Sequence, residues 1–108
     1  MNAQYKKGVL ELCVLALLAR EDHYGYEISE RLSGCIDIAD GTVYPILRKL
    51  KADGLVTVYL QEESGGPPRK YYSLTELGRR AFRVDRAEYL RFAQAVMCLL
   101  EEEEHEKA

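Results

Sequence analysis

Residues 40–56, DGTVYPILRKLKADGLV, decide how the chain folds. With residue 42 set at 0° and about 100° per residue, Val43, Ile46, Leu47 and Leu50 fall within one arc about 100° wide. That spacing predicts a short amphipathic helix with those side chains turned inward. Opposite them lie Tyr44, Pro45, Arg48 and Ala52, flanked by Thr42, Lys49 and Lys51. With Thr42 as N-cap, Pro45 becomes the third helical residue, where its missing N–H would have had no intrahelical partner. The proline starts this helix rather than breaking it. Asp53-Gly54 ends it, glycine being the usual residue for the left-handed turn after a helix.

Upstream, residues 8–19 are apolar almost all round a helical wheel, with Glu11 the exception. A helix of that kind is buried on several sides, which a small domain can rarely provide, so something beyond its own domain is expected to cover it. After a break at residues 20–23, YGYEISERLSG (24–34) predicts a second short helix. Asp22 is its expected cap, Ile28 and Leu32 share one face, and Gly34 is the stop. Downstream, LVTVYLQ (55–61) alternates so that Val56, Val58 and Leu60 share a face, and RKYYSL (69–74) answers with Tyr72 and Leu74. EESGGPP lies between them, which makes a β-hairpin with a loose tip.

The last element starts at Ser73 or Thr75, Ser73 and Glu76 having capping-box spacing, and meets no glycine or proline from residue 79 to about Glu104. A helix of that length reaches about 43 Å, against a radius of gyration near 13 Å for a compact domain of this size. It must project. Its first half carries Arg79, Arg80, Arg83 and Arg86, with Arg91 further on, whereas Tyr89, Leu90, Phe92, Ala93, Val96, Met97, Leu99 and Leu100 make the later half apolar. Such a surface calls for a partner.

The charge balance is uneven. The net charge is −3, but EEEEHEKA (101–108) sets five glutamates against one lysine, a net −4 that leaves the other 100 residues at +1. The acid belongs to the tail, read as a solvated helix end, and the body is free to present a basic face. Cys13, Cys35 and Cys98 are an odd number at wide spacing with no C-x-x-C, so neither a disulfide nor a metal site is expected; Cys13 and Cys98, in apolar runs, read as small buried hydrophobes. The apolar run after Lys6 and Lys7 is too short to span a bilayer, which takes about 20 residues, and Glu11 interrupts it as a signal peptide, so a cytoplasmic protein away from membranes is expected. No glycine-rich phosphate loop, H-E-x-x-H or G-x-S-x-G is present, and His23 and His105 lie far apart, so no enzyme, cofactor or metal is expected.

Three helices and a hairpin are the order of a winged helix-turn-helix, whose third helix enters the major groove while the hairpin grips flanking backbone. Arg48 is placed to read a base edge; Lys49 and Lys51 suit phosphates, as do the hydroxyls of Thr42 and Tyr44 and the wing cations Arg69 and Lys70. A winged helix can also serve as a protein–protein scaffold, but that use would expose apolar residues on the 42–53 helix, which instead exposes Arg, Lys, Tyr and Thr.

HYGYEI (23–28), GTVYPILRKLKADGLV (41–56) and GPPRKYYSLTELG (66–78) resemble successive signature stretches of the PadR family of bacterial transcriptional regulators, and KKGVLELCVLALL resembles the way its members begin. The resemblance covers about residues 6–80. It implies a mainly α fold with a small β-hairpin: a winged helix-turn-helix over 1–74 and a long C-terminal dimerisation helix with an acidic tail over 75–108, as in the family's short subfamily. It implies a homodimeric repressor of double-stranded operator DNA, relieved by a small hydrophobic or aromatic effector. Thr42, Tyr44, Pro45, Arg69 and Lys70 then lie at the DNA, with Tyr24 added as a contact and Tyr26 assigned to packing. The dimer contact joins Val9, Leu12, Leu15 and Ala16 of the first helix to Tyr89, Leu90, Ala93, Val96, Met97 and Leu100 of the last. Tyr89 and Phe92 are candidates for effector contact or for plain packing in the dimer core.

Overall fold

A computed structural model describes residues 3–62 and 65–107, with side chains defined between 7 and 102. The elements are α1 (Ala3–Arg20), β1 (His23–Tyr24), α2 (Gly25–Ser33), α3 (Val43–Ala52), β2 (Val56–Gln61), β3 (Arg69–Leu74) and α4 (Glu76–Lys107). The inward arc of α3 is as the sequence predicts: Val43, Ile46, Leu47 and Leu50 are all buried. They pack with Leu10, Val14, Leu15 and Leu18 of α1, Ile28 and Leu32 of α2, and Val56 and Leu74 from the sheet. This is one continuous apolar core, and α1 runs through it.

Pro45 is the third residue of α3, as expected, but Thr42 does not cap with its side chain: its backbone is already helical, and the first turn is entered through Tyr44 N–H to Gly41 C=O at 3.3 Å. The far end closes in a Schellman turn. Leu55 N–H donates to Leu50 C=O and Gly54 N–H to Lys51 C=O, with Gly54 at φ +76°. Asp22 does not cap α2 either. Its carboxylate accepts a hydrogen bond from the Tyr59 hydroxyl at 2.7 Å, while Tyr24 occupies the cap position without a side-chain bond. Gly34 ends α2 in a right-handed helical conformation, so it serves there without using its left-handed freedom.

The segment read as a break between α1 and α2 contains β1, which turns the hairpin into a three-stranded antiparallel sheet of order β1-β3-β2. His23 pairs with Tyr72 and Tyr24 with Tyr71, and across the hairpin Val58 faces Tyr72 and Tyr59 faces Tyr71. Two residues carry no periodicity, which is why the sequence does not reveal this strand. His23 is 2% exposed and its Nδ1 lies 2.6 Å from Glu27 Oε1, a contact that fastens β1 to α2.

Thr75, rather than Ser73, caps α4. Its hydroxyl accepts from Gly78 N–H at 3.0 Å and donates to Gly54 C=O at 2.7 Å, so one side chain joins the end of α3 to the start of α4. Gly78 is required here because a Cβ would collide with the Leu55 carbonyl oxygen. From this anchor α4 runs 32 residues and stretches the molecule to 62 × 28 × 22 Å, with a radius of gyration of 16.8 Å. Val84, Leu90, Phe92, Met97, Leu99 and Leu100 are exposed along it, and Tyr89, Ala93 and Val96 are half-buried.

Two expectations are corrected. Leu15, assigned to a dimer contact, is 2% exposed inside its own core, at the bottom of the groove between α1 and α4, whereas Val9, Leu12 and Ala16 keep partial exposure. Cys98, read as a buried hydrophobe, stands exposed on α4, while Cys13 is half-buried. The side chains of the acidic tail from residue 103 lie outside the described residues.

Candidate nucleic-acid interface

The outward face of α3 meets the start of α2 and the wing in one open groove of about 700 Å³. Tyr24, Gly25 and Tyr26 line it from the β1–α2 junction, Tyr44 and Arg48 from α3, and Arg69, Lys70 and Tyr72 from β3. Each element brings its residue by simple geometry. Tyr44 and Arg48 are four apart on one helix face, and Arg69 and Lys70 open β3 straight after the Gly-Pro tip. Gly25 makes the close approach workable: a Cβ there would lie 2.9 Å from the Tyr44 ring, so glycine lets that ring rest on the first turn of α2.

Three guanidinium or ammonium groups and four phenols therefore share a concave surface without a carboxylate among its lining residues. Tyr72 forms the floor. Burial pushes its phenol above the ordinary value, neighbouring Tyr44 adds to the rise, and Arg48 opposes it. The Arg69 guanidinium lies over the Tyr24 ring, 4.5 Å from its centroid. Such a surface presents cations for phosphates, planar donors for base edges and hydroxyls for either.

Not every expected residue reaches this groove. Tyr26, assigned to packing, is 60% exposed and stands at the groove; it is a corrected assignment and the residue the sequence reading misplaced. The signal available was the position of Ile28 as the buried residue of α2, which puts Tyr26 200° away at about 100° per residue. Tyr24 does line the groove, but half-buried, with its ring edge-on to Tyr71. Thr42 and Pro45 lie on the opposite flank of α3, beside Lys7, Leu10 and Ile38. Lys51 is exposed. Lys49 faces α1: its ammonium sits 3.4 Å from Glu11 and 3.3 Å from Asp53. The hydrogen bond to Asp53 and the charge of Glu11 raise its pKa above the usual lysine value. That ion pair holds it away from the groove that contains Arg48.

Among the described residues no group of His, Cys, Asp or Glu could hold a metal ion, and no helix is long and apolar enough to cross a membrane.

The family model for "Transcriptional regulator PadR-like family" matches residues 14–84, which include the whole groove. The chain belongs to the PadR family. It is similar to Transcriptional regulator Rv3488 of Mycobacterium tuberculosis, with 30% identity over 95 residues covering 87% of this chain and 88% of that protein. Among solved structures, a PadR-like transcriptional regulator from Bacillus cereus strain ATCC 14579 superposes with a TM-score of 0.80 at 34% identity, covering 91% of this chain and 97% of the other. Bacillus subtilis PadR, solved in complex with operator DNA, gives a TM-score of 0.62 at 25% identity, covering 69% of this chain and 45% of that one. This PadR-family chain is thus a winged-helix transcriptional regulator and not an enzyme.

Proposed function

We propose that the protein is a cytoplasmic homodimeric repressor that binds double-stranded operator DNA through the α3–wing groove and is released by a small hydrophobic or aromatic effector. The observation that carries the proposal is the convergence of Arg48, Arg69 and Lys70 with Tyr24, Tyr26 and Tyr44 on one carboxylate-free groove, in a chain whose net charge is −3. Charge this unevenly distributed attracts a polyanion to one face. In this reading α3 enters the major groove, Arg48 donates to a base edge, and Arg69 and Lys70 hold the backbone beside it. Thr42, Pro45 and Lys51 border the same helix and approach the phosphates on its other flank. Lys49 is left out of this reading, because its ammonium is paired with Glu11 and Asp53 on the side of α1.

Residues 1–74 supply the DNA-binding unit and 75–108 the dimer contact. Val9, Leu12 and Ala16 of α1 and Tyr89, Leu90, Ala93, Val96, Met97 and Leu100 of α4 would meet a second copy. Between α1 and α4 a groove of about 580 Å³, lined by Val9, Leu12, Leu50, Leu55 and Tyr89 together with Glu11, Asp85 and Glu88, shares Val9, Leu12 and Tyr89 with that contact. Tyr89 is there the natural effector contact. Phe92 is not part of that lining and is 60% exposed, which favours it as dimer packing. If Tyr89 meets the effector, planar aromatic compounds will alter tyrosine fluorescence and release DNA; a broad panel without release leaves Tyr89 as packing.

The DNA reading is tested by titrating labelled duplexes from the region upstream of its gene with wild type, Arg48→Ala and Lys70→Ala. Arg48→Ala should lose about 1–3 kcal/mol of preference at one base pair. Lys70→Ala should weaken binding evenly across sequences and flatten the salt dependence. Equal affinities of all three proteins would rule out this face.

A further inference from the structure

We infer that Tyr24 is a positioning residue for the wing: its ring holds the Arg69 guanidinium in place for the DNA backbone, and its hydroxyl is not what the DNA reads. The inference rests on the DNA-binding function proposed above and assigns Tyr24 a different part in it from a direct phosphate contact. Three tyrosines form a row straight across the sheet, since Tyr24 and Tyr59 both pair with Tyr71 in the strand register. Tyr24 meets Tyr71 edge-on with centroids 5.5 Å apart, and Tyr71 stacks on Tyr59 at 5.7 Å and 18°. At the far end the Tyr59 hydroxyl donates to Asp22 at 2.7 Å, two residues before Tyr24 itself. The row therefore starts and finishes on the same short segment and fixes the tilt of the Tyr24 ring.

Arg69 sits two residues from Tyr71 on β3 and so shares its face, diagonal to Tyr24, which is the distance a long side chain bridges. It needs holding. It is the first residue of β3, paired only with Gln61 at the last rung of the ladder, next to the Gly-Pro tip. A free arginine there would surrender rotamer entropy on each phosphate contact. Lying 4.5 Å over the Tyr24 centroid, the guanidinium is preset above the ring face before an anion arrives. A ring face does this equally well with or without a hydroxyl.

The test uses the full chain and a labelled mixed-sequence duplex at low salt, because phosphate contacts do not depend on sequence. Arg69→Ala should weaken binding about fivefold and lower the salt slope by about 0.9, the share of one phosphate. Tyr24→Leu should give nearly the same loss, on the scale of one exposed cation–π contact, and the double variant should be no weaker than either single. Tyr24→Phe should stay within about twofold of wild type. Thermal unfolding of each variant separates loss of fold from loss of position, since a merely structural Tyr24 would lower the melting temperature and leave the salt slope intact. If Tyr24→Leu does not fold, Arg69→Lys carries the test: it keeps the charge without the planar group, and wild-type affinity would overturn the inference. Wild-type binding by Arg69→Ala would instead remove Arg69 from the DNA reading and overturn the inference with it. With Arg69→Ala weakened, additive losses, or a Tyr24→Phe variant as weak as Tyr24→Leu, would overturn the positioning role alone.

Discussion

Leu47 in α3 and Leu99 in α4 are the same side chain in the same kind of secondary structure, yet the first is 1% exposed and the second 67%. α3 is enclosed by α1, α2 and the sheet, so its apolar arc is fully used within one chain. The later half of α4 has left those elements behind. Its Leu90, Met97, Leu99 and Leu100 present an apolar surface that nothing among the described residues covers. The apolar arc of α3 is closed within one chain, and the apolar stretch at the end of α4 is not.

The largest effect that would sharpen this contrast is on Leu47. Leu47→Ala should cost about 3 kcal/mol, as large-to-small core changes do, and the loss measured by urea unfolding should not depend on protein concentration. Leu99→Ala should cost far less in the same assay at low concentration; equal losses would break the comparison. Next in size, Met97→Glu places a charge in the exposed apolar stretch. Leaving it unpaired in a contact between copies should weaken association by about 2 kcal/mol, roughly thirtyfold, seen as a shift to monomer in sedimentation while the melting of the body is kept. Unchanged association would mean that this stretch is not where copies meet.

Thr75 is the joint between the two regions, through its bonds to Gly54 and Gly78. Thr75→Ala should cost about 1 kcal/mol and Thr75→Ser a fraction of that, since serine keeps both bonds. A serine variant as unstable as the alanine one would assign the effect to the lost methyl group. The smallest effect is expected at Lys49. Its ion pairs with Glu11 and Asp53 are half-exposed, so Lys49→Ala should change stability by less than about 0.5 kcal/mol and leave DNA affinity unaltered. Because folding raises the Lys49 pKa, this small contribution is complete below the ordinary lysine value and disappears only as pH climbs through the raised one, in the alkaline range. A clear fall in DNA affinity in Lys49→Ala would return it to the interface.

How much of this the sequence disclosed varies with the length of the pattern. The arc of α3, the place of Pro45 and the β2–β3 hairpin were legible because each rests on several residues, although burial follows the alternation only at Val56 and Leu74 and leaves Leu60 66% exposed. β1 spans two residues and exists only because β3, nearly fifty positions later, pairs with it. The part taken by Tyr24 depends on that strand, whereas the outward place of Tyr26 follows from α2 alone, two residues before buried Ile28. Lys49 and Leu15 illustrate the same limit. A helical wheel separates inside from outside, but not which neighbour an outward lysine meets, nor how completely one domain can surround α1. Asp22 and Thr42 looked like caps by residue type; Asp22 was taken by a distant tyrosine, and Thr42 entered its helix through the backbone.

Selection of the wild-type protein against random duplex DNA, with the number of copies per bound duplex counted by analytical ultracentrifugation, tests the account most directly. It predicts an inverted repeat whose half-sites lie about one helical turn, roughly 10 base pairs, or a multiple apart, bound by two copies. Enrichment of no sequence at all, or of a single half-site held by one copy, would contradict it.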